Sequence, residues 1–171
     1  IPALADKRGM NVVLGAWISK DEERNQREIQ SVVGLAKQHR NVVRAVIGNE
    51  TLLREEIPRE QLIGYLDDVR KKLNIPVSTA EPWHIWITYP ELVDHVDFIA
   101  VHLLPYWEGV DVDEAVDYCV NCYENLKKAF PKKPIVIAEI GWPSNGRIRR
   151  YAEPSVVNEA AFLRRFVNHA A

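Results

Sequence analysis

Five apolar runs of strand length alternate along this chain with segments of helical periodicity, and this alternation constrains the fold more than any other feature. The runs lie at 11–17, 42–48, 75–79, 98–103 and 134–138. Segments with the apolar spacing of helices lie at 21–38, 58–73, 89–95, 113–130 and 155–169. Because the runs are apolar throughout rather than alternating, they are typical of parallel strands covered on both faces. The sequence therefore predicts an α/β fold.

The side chains that follow the strands separate the two α/β architectures that fit this alternation. A doubly wound nucleotide-binding sheet carries a glycine fingerprint after its first strand, and this sequence has none. A (β/α)8 TIM barrel instead builds its active site from loops at the carboxyl ends of its strands. Polar and aromatic residues cluster at those positions, namely Trp17, Asn49, Glu50, Glu81, Trp83, His84, Pro105, Tyr106, Trp107, Glu139 and Trp142. The sequence therefore predicts a barrel.

The length sets how much of a barrel the chain holds. A complete barrel needs about 250 residues, whereas this chain has 171. Residues 1–171 are therefore expected to form one partial barrel domain of about five βα units. The first residue is not Met, and the opening segment reads like the middle of a helix. We therefore expect the chain to be a piece of a longer protein.

Charge and cysteine content disfavour several function classes. The chain has 22 Lys and Arg residues against 24 Asp and Glu residues, which gives a net charge of −2. That balance disfavours a nucleic-acid partner, and no polybasic or long apolar segment predicts direct membrane contact. The two cysteines, Cys119 and Cys122, have the spacing of half a zinc site, but the sequence offers no second ligand pair. We expect buried free thiols, no metal and no cofactor.

Two glutamates end apolar strands and are the strongest candidates for chemistry. Glu50 closes the run at 46–50, and Glu139 closes the run at 136–139. A carboxyl group in such a place loses part of its hydration, which favours the protonated form unless a partner compensates. An N-cap or an ion pair with a rim arginine would explain one such residue. Two of them beside aromatic rings favour a sugar site, where rings stack on the sugar and carboxyl groups act on the glycosidic bond.

Longer motifs around these glutamates make a family resemblance specific. Gly48-Asn49-Glu50 and the stretch from Ala138 to Gly146 resemble the two signatures of glycoside hydrolase family 17, the β-1,3-glucanases and their relatives. The segments 79–83 and 101–107 resemble the bacterial branch, several members of which are joined to membrane-bound glucosyltransferases. The resemblance implies that the chain carries the third to seventh βα units of the barrel. The first two strands and the eighth are absent from it.

The resemblance also implies roles for individual residues in a retaining glycoside hydrolase that acts on β-1,3-linked glucan by double displacement. Glu50 would be the general acid and base, and Asn49 would hydrogen-bond the sugar 2-hydroxyl. Glu139 would be the nucleophile, with Tyr106 touching and orienting it. Trp142 would form part of the floor of the sugar site.

Further substrate-binding candidates come from the remaining strand ends. Glu81 is expected to bind a sugar hydroxyl or to hold the charge state of Glu50. A buried barrel histidine and a rim residue compete evenly as interpretations of His102. Trp83 and His84 are expected to be subsite walls, and Trp17 and Trp107 to be either stacking platforms or simply core residues of a lid.

Three broader expectations stay open at the level of sequence. The activity is hydrolysis or, alternatively, β-glucan transglycosylation by a protein fused to a membrane glycosyltransferase; a non-catalytic glycan-binding barrel is the third alternative. The resemblance favours an extracytoplasmic location, periplasmic or secreted. The basic run at 147–150 predicts a solvated loop, and binding of an acidic partner is the lesser alternative.

Overall fold

A computed structural model describes residues 1–170 of the chain as an alternation of strands and helices. The strands are β1 (Val12–Ala16), β2 (Val42–Asn49), β3 (Val77–Pro82), β4 (Ile99–Leu103) and β5 (Ile135–Ile140). The α-helices are α1 (Pro2–Asp6), α2 (Glu22–Gln38), α3 (Arg59–Lys72), α4 (Trp83–Thr88), α5 (Pro105–Glu108), α6 (Ala115–Ala129) and α7 (Val156–Ala170). A 3-10 helix spans Pro90–His95. Within this described range, no helix combines the length and apolar character required to cross a bilayer.

The five strands form one sheet whose order, β1-β2-β3-β4-β5, follows the sequence. The first three are paired in parallel, and helices connect successive strands. Sequential order distinguishes a barrel from a doubly wound sheet, in which the strand order reverses at a switch point. The predicted α/β barrel class and its five strands are confirmed.

Local sequence explains why the long helices form where they do. Asp21 caps α2, because its side chain accepts a hydrogen bond from the backbone N–H of Arg24 at 3.0 Å. Leu62, Leu66 and Val69 are fully buried and form one stripe of α3. These apolar stripes fix the helices against the sheet and leave the strand ends to carry polar residues.

One predicted helix is wrong in its bounds, because two prolines divide the segment after β3. The sequence predicts a helix at 89–95, whereas the structure has α4 at Trp83–Thr88 followed by the 3-10 helix from Pro90. Pro82 precedes α4 and Pro90 interrupts the backbone hydrogen bonds after it. The third strand also shifts to Val77–Pro82 from the predicted 75–79, since Pro76 has no N–H to donate.

The chain folds into two compact units, and strands β4 and β5 each contribute residues to both. The first unit comprises Ile1–Ala100 and Lys132–Val136, and the second comprises Val101–Pro131 and the described residues from 137 onward. In the first unit every residue of β3 is buried, including the polar side chains of Ser78, Thr79 and Glu81. That strand is therefore the centre of the first unit.

The second unit has its own apolar core, built on α6, α7 and an indole ring. Cys119, Cys122 and Leu126 of α6 are buried, and the ring of Phe162 on α7 lies 5.9 Å from that of Trp142. Both cysteines are free thiols, as predicted. Burial raises the pKa of the Cys119 thiol to about 12, so this thiol stays protonated and unreactive at neutral pH.

Candidate active site

The turn after β2 holds Glu50 in an uncommon backbone conformation. Gly48 has a φ of 87° and Glu50 a φ of 53°, so both occupy the left-handed region. A Cβ at Gly48 would lie 2.5 Å from the hydroxyl oxygen of Thr51. Only glycine therefore fits at position 48 next to the left-handed backbone of Glu50. The Glu50 N–H donates to the carbonyl of Ala80 on β3 at 2.8 Å. The backbone of Glu50 is therefore fixed by the neighbouring strand.

Glu81 is fully buried and holds the same turn through its side chain. Its carboxylate accepts hydrogen bonds from the backbone N–H groups of Leu52 at 2.8 Å and Leu53 at 3.3 Å. Burial raises the pKa of the Glu81 carboxyl to about 7; the two N–H donors oppose this and the charge of Glu50 adds to it. The predicted rim position of Glu81 is corrected, because nothing of this side chain is exposed to a substrate.

Arg54 provides a third support for the Glu50 turn. Its Nη1 donates to the backbone carbonyl of Asn49, and its guanidinium lies 4.3 Å from the centre of the Trp17 ring. The N–H of Arg54 also donates to the carbonyl of Glu50 at 2.9 Å. The side chain of Asn49 is half-buried, and 44% of Trp17 is exposed. No role for Arg54 was predicted from the sequence, although a residue four positions after Glu50 is well placed to hold the Glu50 turn.

Trp83 and His84 follow β3 directly and begin α4. Their rings meet edge to face with centroids 6.0 Å apart, and both residues are half-buried. The structure thus brings Asn49, Glu50, Trp83 and His84 into the first unit, at the carboxyl ends of neighbouring strands β2 and β3.

The second unit holds Glu139 beside a buried histidine. The side chain of Glu139 is 49% exposed, and its Oε1 lies 3.7 Å from Nε2 of His102, which is 1% exposed. His102 comes from β4 and Glu139 from β5. A buried imidazole therefore faces a carboxylate that is open to solvent on its other side. Of the two interpretations of His102 from sequence, the structure gives it both burial and contact with a candidate catalytic group.

The hydroxyl of Tyr106 supports the loop after β5, because it donates to the backbone carbonyl of Arg147 at 2.5 Å. The sequence held no signal for this hydrogen bond, because the acceptor is a backbone carbonyl 41 residues away. The expected contact between Tyr106 and Glu139 stays a prediction.

Trp142 and Trp107 differ sharply in exposure. Trp142 is 4% exposed, and its indole N–H donates to the carbonyl of Glu153 at 3.0 Å. Trp107 is 58% exposed, lies edge to face with Tyr106 at 5.2 Å, and carries the guanidinium of Arg149 at 4.2 Å from its ring centre. Of these two tryptophans in the second unit, Trp107 is therefore the exposed one, and Trp142 belongs mainly to the core.

Among residues 1–170, neither unit by itself contains three His, Cys, Asp or Glu side chains that lie close enough to one another to bind one metal ion. The buried free thiols of α6 also lack the accompanying ligands of a zinc site within the described part of the second unit. The expectations of no metal and no cofactor stay predictions.

Comparison with known proteins gives one family for the full sequence and a consistent set of relatives. The model of the family described as the BtgE/BtgC glycoside hydrolase domain matches residues 1–171. The chain is 30% identical over 155 residues to a probable glucan endo-1,3-beta-glucosidase, btgC, of Aspergillus flavus. That alignment covers 81% of this chain and 22% of the relative, so the chain spans about a fifth of the relative's length.

Two solved structures from Rhizomucor miehei are similar over nearly the whole chain. One is an active-site mutant of a beta-1,3-glucanosyltransferase in complex with laminaritriose, with a TM-score of 0.89 and 28% identity. It covers 99% of this chain and 64% of that one. The other is a glycoside hydrolase family 17 beta-1,3-glucanosyltransferase, with a TM-score of 0.85, 30% identity and coverage of 95% and 62%. These relatives are fungal, so the predicted bacterial branch stays a prediction.

Proposed function

Because the chain belongs to the BtgE/BtgC glycoside hydrolase domain family, we propose that it is the catalytic part of a retaining enzyme acting on β-1,3-linked glucan. Glu139 is the nucleophile, and Glu50 is the general acid and base. The observation that carries the proposal is that each glutamate stands at the carboxyl end of a barrel strand in a chain of this family. The similar solved enzyme whose complex contains laminaritriose supports the choice of substrate.

The surroundings of Glu139 support the nucleophile role. A nucleophilic carboxylate has to reach an anomeric carbon, and half of this side chain is open. The buried ring of His102 lies beside it, with Nε2 3.7 Å from Oε1 of Glu139. His102 is therefore proposed as a positioning residue for the nucleophile, and Trp107 as a stacking platform for a sugar.

The surroundings of Glu50 support a role that needs fixed geometry. Proton transfer to a leaving oxygen requires the donor within hydrogen-bond reach of that oxygen. Three contacts hold the strained turn around Glu50. The carbonyl of Ala80 accepts from the Glu50 N–H, the Glu81 carboxylate accepts from the N–H of Leu52, and Arg54 donates to the carbonyl of Asn49. Asn49, the neighbour of Glu50, is proposed to bind the sugar 2-hydroxyl, and Trp83 with His84 to line a subsite.

In the proposed double displacement, Glu139 and Glu50 each act in both steps. The Glu139 carboxylate attacks the anomeric carbon while Glu50 gives its proton to the departing glycosidic oxygen, which leaves a glycosyl ester on Glu139. Glu50, now a carboxylate, takes a proton from the incoming water or sugar hydroxyl, whose oxygen bonds to the anomeric carbon as the ester bond breaks and Glu139 leaves as a carboxylate. The β-configuration is retained because inversion occurs twice.

The lengths of the products distinguish hydrolysis from glycosyl transfer. We propose transfer as a second candidate, because the two similar solved enzymes are glucanosyltransferases. Incubation of the full-length protein with laminari-oligosaccharides, followed by chromatography, would give only shorter products from hydrolysis and also longer ones from transfer. NMR of the first-formed product should show the β-anomer. No change in chain length would leave a non-catalytic glycan-binding barrel, and an α-anomer would refute double displacement. Fusion to a membrane glycosyltransferase stays a prediction.

A further inference from the structure

A groove of about 610 Å³ lies in the second unit between α5 and the loop after β5. We call it the arginine groove, and its main lining residues are Tyr106, Trp107, Asn145, Arg147, Ile148 and Arg149. Its volume is in the range of small-molecule sites, which is about 300–1,000 Å³. Two arginines, Arg147 and Arg149, line the groove of a chain whose net charge is −2, so the groove carries a local charge opposite to that of the whole chain.

The loop that supplies these arginines is held by specific contacts. The Tyr106 hydroxyl donates to the Arg147 carbonyl at 2.5 Å, and the Arg149 N–H and carbonyl exchange hydrogen bonds with Ala152 at 2.9 and 2.8 Å. A Cβ on Gly109 would lie 2.9 Å from the Arg150 side chain, so the loop packs closely on the end of α5. The sequence predicts a solvated loop at 147–150, and the structure gives it a defined conformation.

Positive charge in the groove is not neutralised by the protein. No Asp or Glu lines it, and within residues 1–170 neither Arg147 nor Arg149 forms an ion pair with a carboxylate. The Arg149 guanidinium lies over Trp107 at 4.2 Å and near Tyr106 at 5.8 Å. Stacking occupies the face of a guanidinium and leaves the N–H groups at its edge free to bind an anion in two-pronged fashion.

We propose that the arginine groove binds a negatively charged substituent, a carboxylate, phosphate or sulfate group, carried by a glucan chain. The inference rests on the proposed function, because it takes the glucan as the ligand that enters the groove. The loop begins directly after β5, so the strand that carries Glu139 as its penultimate residue continues into the residues of the groove. The exposed ring of Trp107 offers apolar contact to the sugar, and the guanidinium groups recognise its charge.

Matched oligosaccharides test the proposal in the full-length protein with Glu139→Gln, which prevents turnover. Calorimetry at low ionic strength compares laminaritetraose with the same tetrasaccharide bearing a C6 carboxylate or a C6 sulfate on one end, each end in turn. We expect at least one acidic compound to bind about three- to fivefold tighter than the neutral one, with a preference that fades in salt.

Arginine variants then locate the charge. Arg147→Gln and Arg149→Gln should each remove most of the acidic preference, while Arg149→Lys, which keeps the charge, should retain part of it. Arg40→Gln is the control, because Arg40 is exposed in the first unit and its loss changes the net charge equally. The preference should survive this change.

Two results would overturn the inference. Equal affinity for all acidic and neutral compounds would refute it, and so would variants that weaken neutral and acidic binding alike, since Arg149 would then only brace Trp107. Failure of the proposed function is distinguishable, because the wild-type protein would then leave neutral laminari-oligosaccharide unprocessed, whatever the effect of the arginine variants on acidic preference.

Discussion

The two proposed catalytic glutamates both end barrel strands, yet the structure supports them in opposite ways. The turn of Glu50 is tied down by a fully buried carboxylate, Glu81, and by a strand carbonyl. Glu139 is half exposed, with a buried histidine beside it and a loop of exposed arginines following its strand. A buried carboxyl group fixes one backbone, whereas backbone hydrogen bonds and aromatic stacking organise the loop in the other region.

The difference teaches that the two regions respond to different perturbations. Support by a buried carboxylate depends on its protonation, so the Glu50 turn is sensitive to pH and to loss of a single side chain. The loop after β5 is held by backbone hydrogen bonds and aromatic contacts, which do not titrate near neutral pH. The predictions below separate these two kinds of support.

Replacement of the nucleophile should have the largest effect. Glu139→Gln removes the carboxylate that we propose forms the glycosyl ester, so we expect kcat to fall at least about 1,000-fold, or about 4 kcal/mol in the barrier. Product release from laminari-oligosaccharides measures it. A variant that keeps more than about a tenth of the wild-type rate would show that Glu139 is not the nucleophile.

Replacement of the acid should depend on the leaving group. Glu50→Gln should lower kcat/KM about 100- to 1,000-fold on oligosaccharides, because loss of general acid–base catalysis costs about that much. Activity on an aryl glucoside whose phenolate needs no proton should be retained much better, and azide should partly rescue Glu50→Ala. Equal losses on both substrates, without rescue, would assign Glu50 another role.

The buried carboxyl group predicts a pH dependence of stability. In the folded protein the pKa of Glu81 is raised from 4.5 to about 7, so the fold favours its protonated form. Its contribution is fully present below pH 4.5 and is lost as the pH rises to about 7, with Glu50 and Arg54 as the charges that face it. The loss is at most about 3 kcal/mol in the free energy of unfolding.

Urea denaturation of wild type and Glu81→Gln between pH 4.5 and 8 measures this contribution. Glutamine cannot titrate, so the difference in stability between the two proteins should shift with pH in that window and level off above it. The five histidines are common to both proteins, so their contributions cancel in the difference. A pH-independent difference would contradict the raised pKa of Glu81.

The same substitution should have a smaller effect on catalysis. In Glu81→Gln one acceptor oxygen becomes an NH2 group facing the N–H of Leu52 or Leu53, so the Glu50 turn should shift. We expect kcat to fall about tenfold with little change in KM, because displacement of a catalytic group mainly raises the barrier.

Ser78→Ala is the matched control for that experiment. Ser78 is buried on the same strand, and its hydroxyl donates to the carbonyl of Phe98 at 2.6 Å without touching the Glu50 turn. This variant should lose stability and keep kcat. If both variants lowered kcat in proportion to their stability, Glu81 would be a general core residue and not a positioning residue.

Sequence analysis predicted the strands well and side-chain partners poorly. The apolar runs identified all five strands, because a buried parallel strand needs continuous apolar residues. The helix after β3 was misplaced, since Pro82 and Pro90 changed its bounds. Glu81 was expected on the rim, but it lies inside because its strand runs further than its apolar segment indicates.

The sequence by itself determined the α/β barrel class, the presence and order of the five strands and the two glutamates that close apolar runs. These follow from periodicity and local motifs, which act over a few residues. Only the tertiary structure decided that Glu81 serves two N–H groups 28 and 29 residues away, that His102 faces Glu139 and that Tyr106 holds the Arg147 carbonyl. Such pairings depend on which strand ends and loops come together in three dimensions, and a hydrogen bond to a distant backbone group leaves no pattern in the sequence.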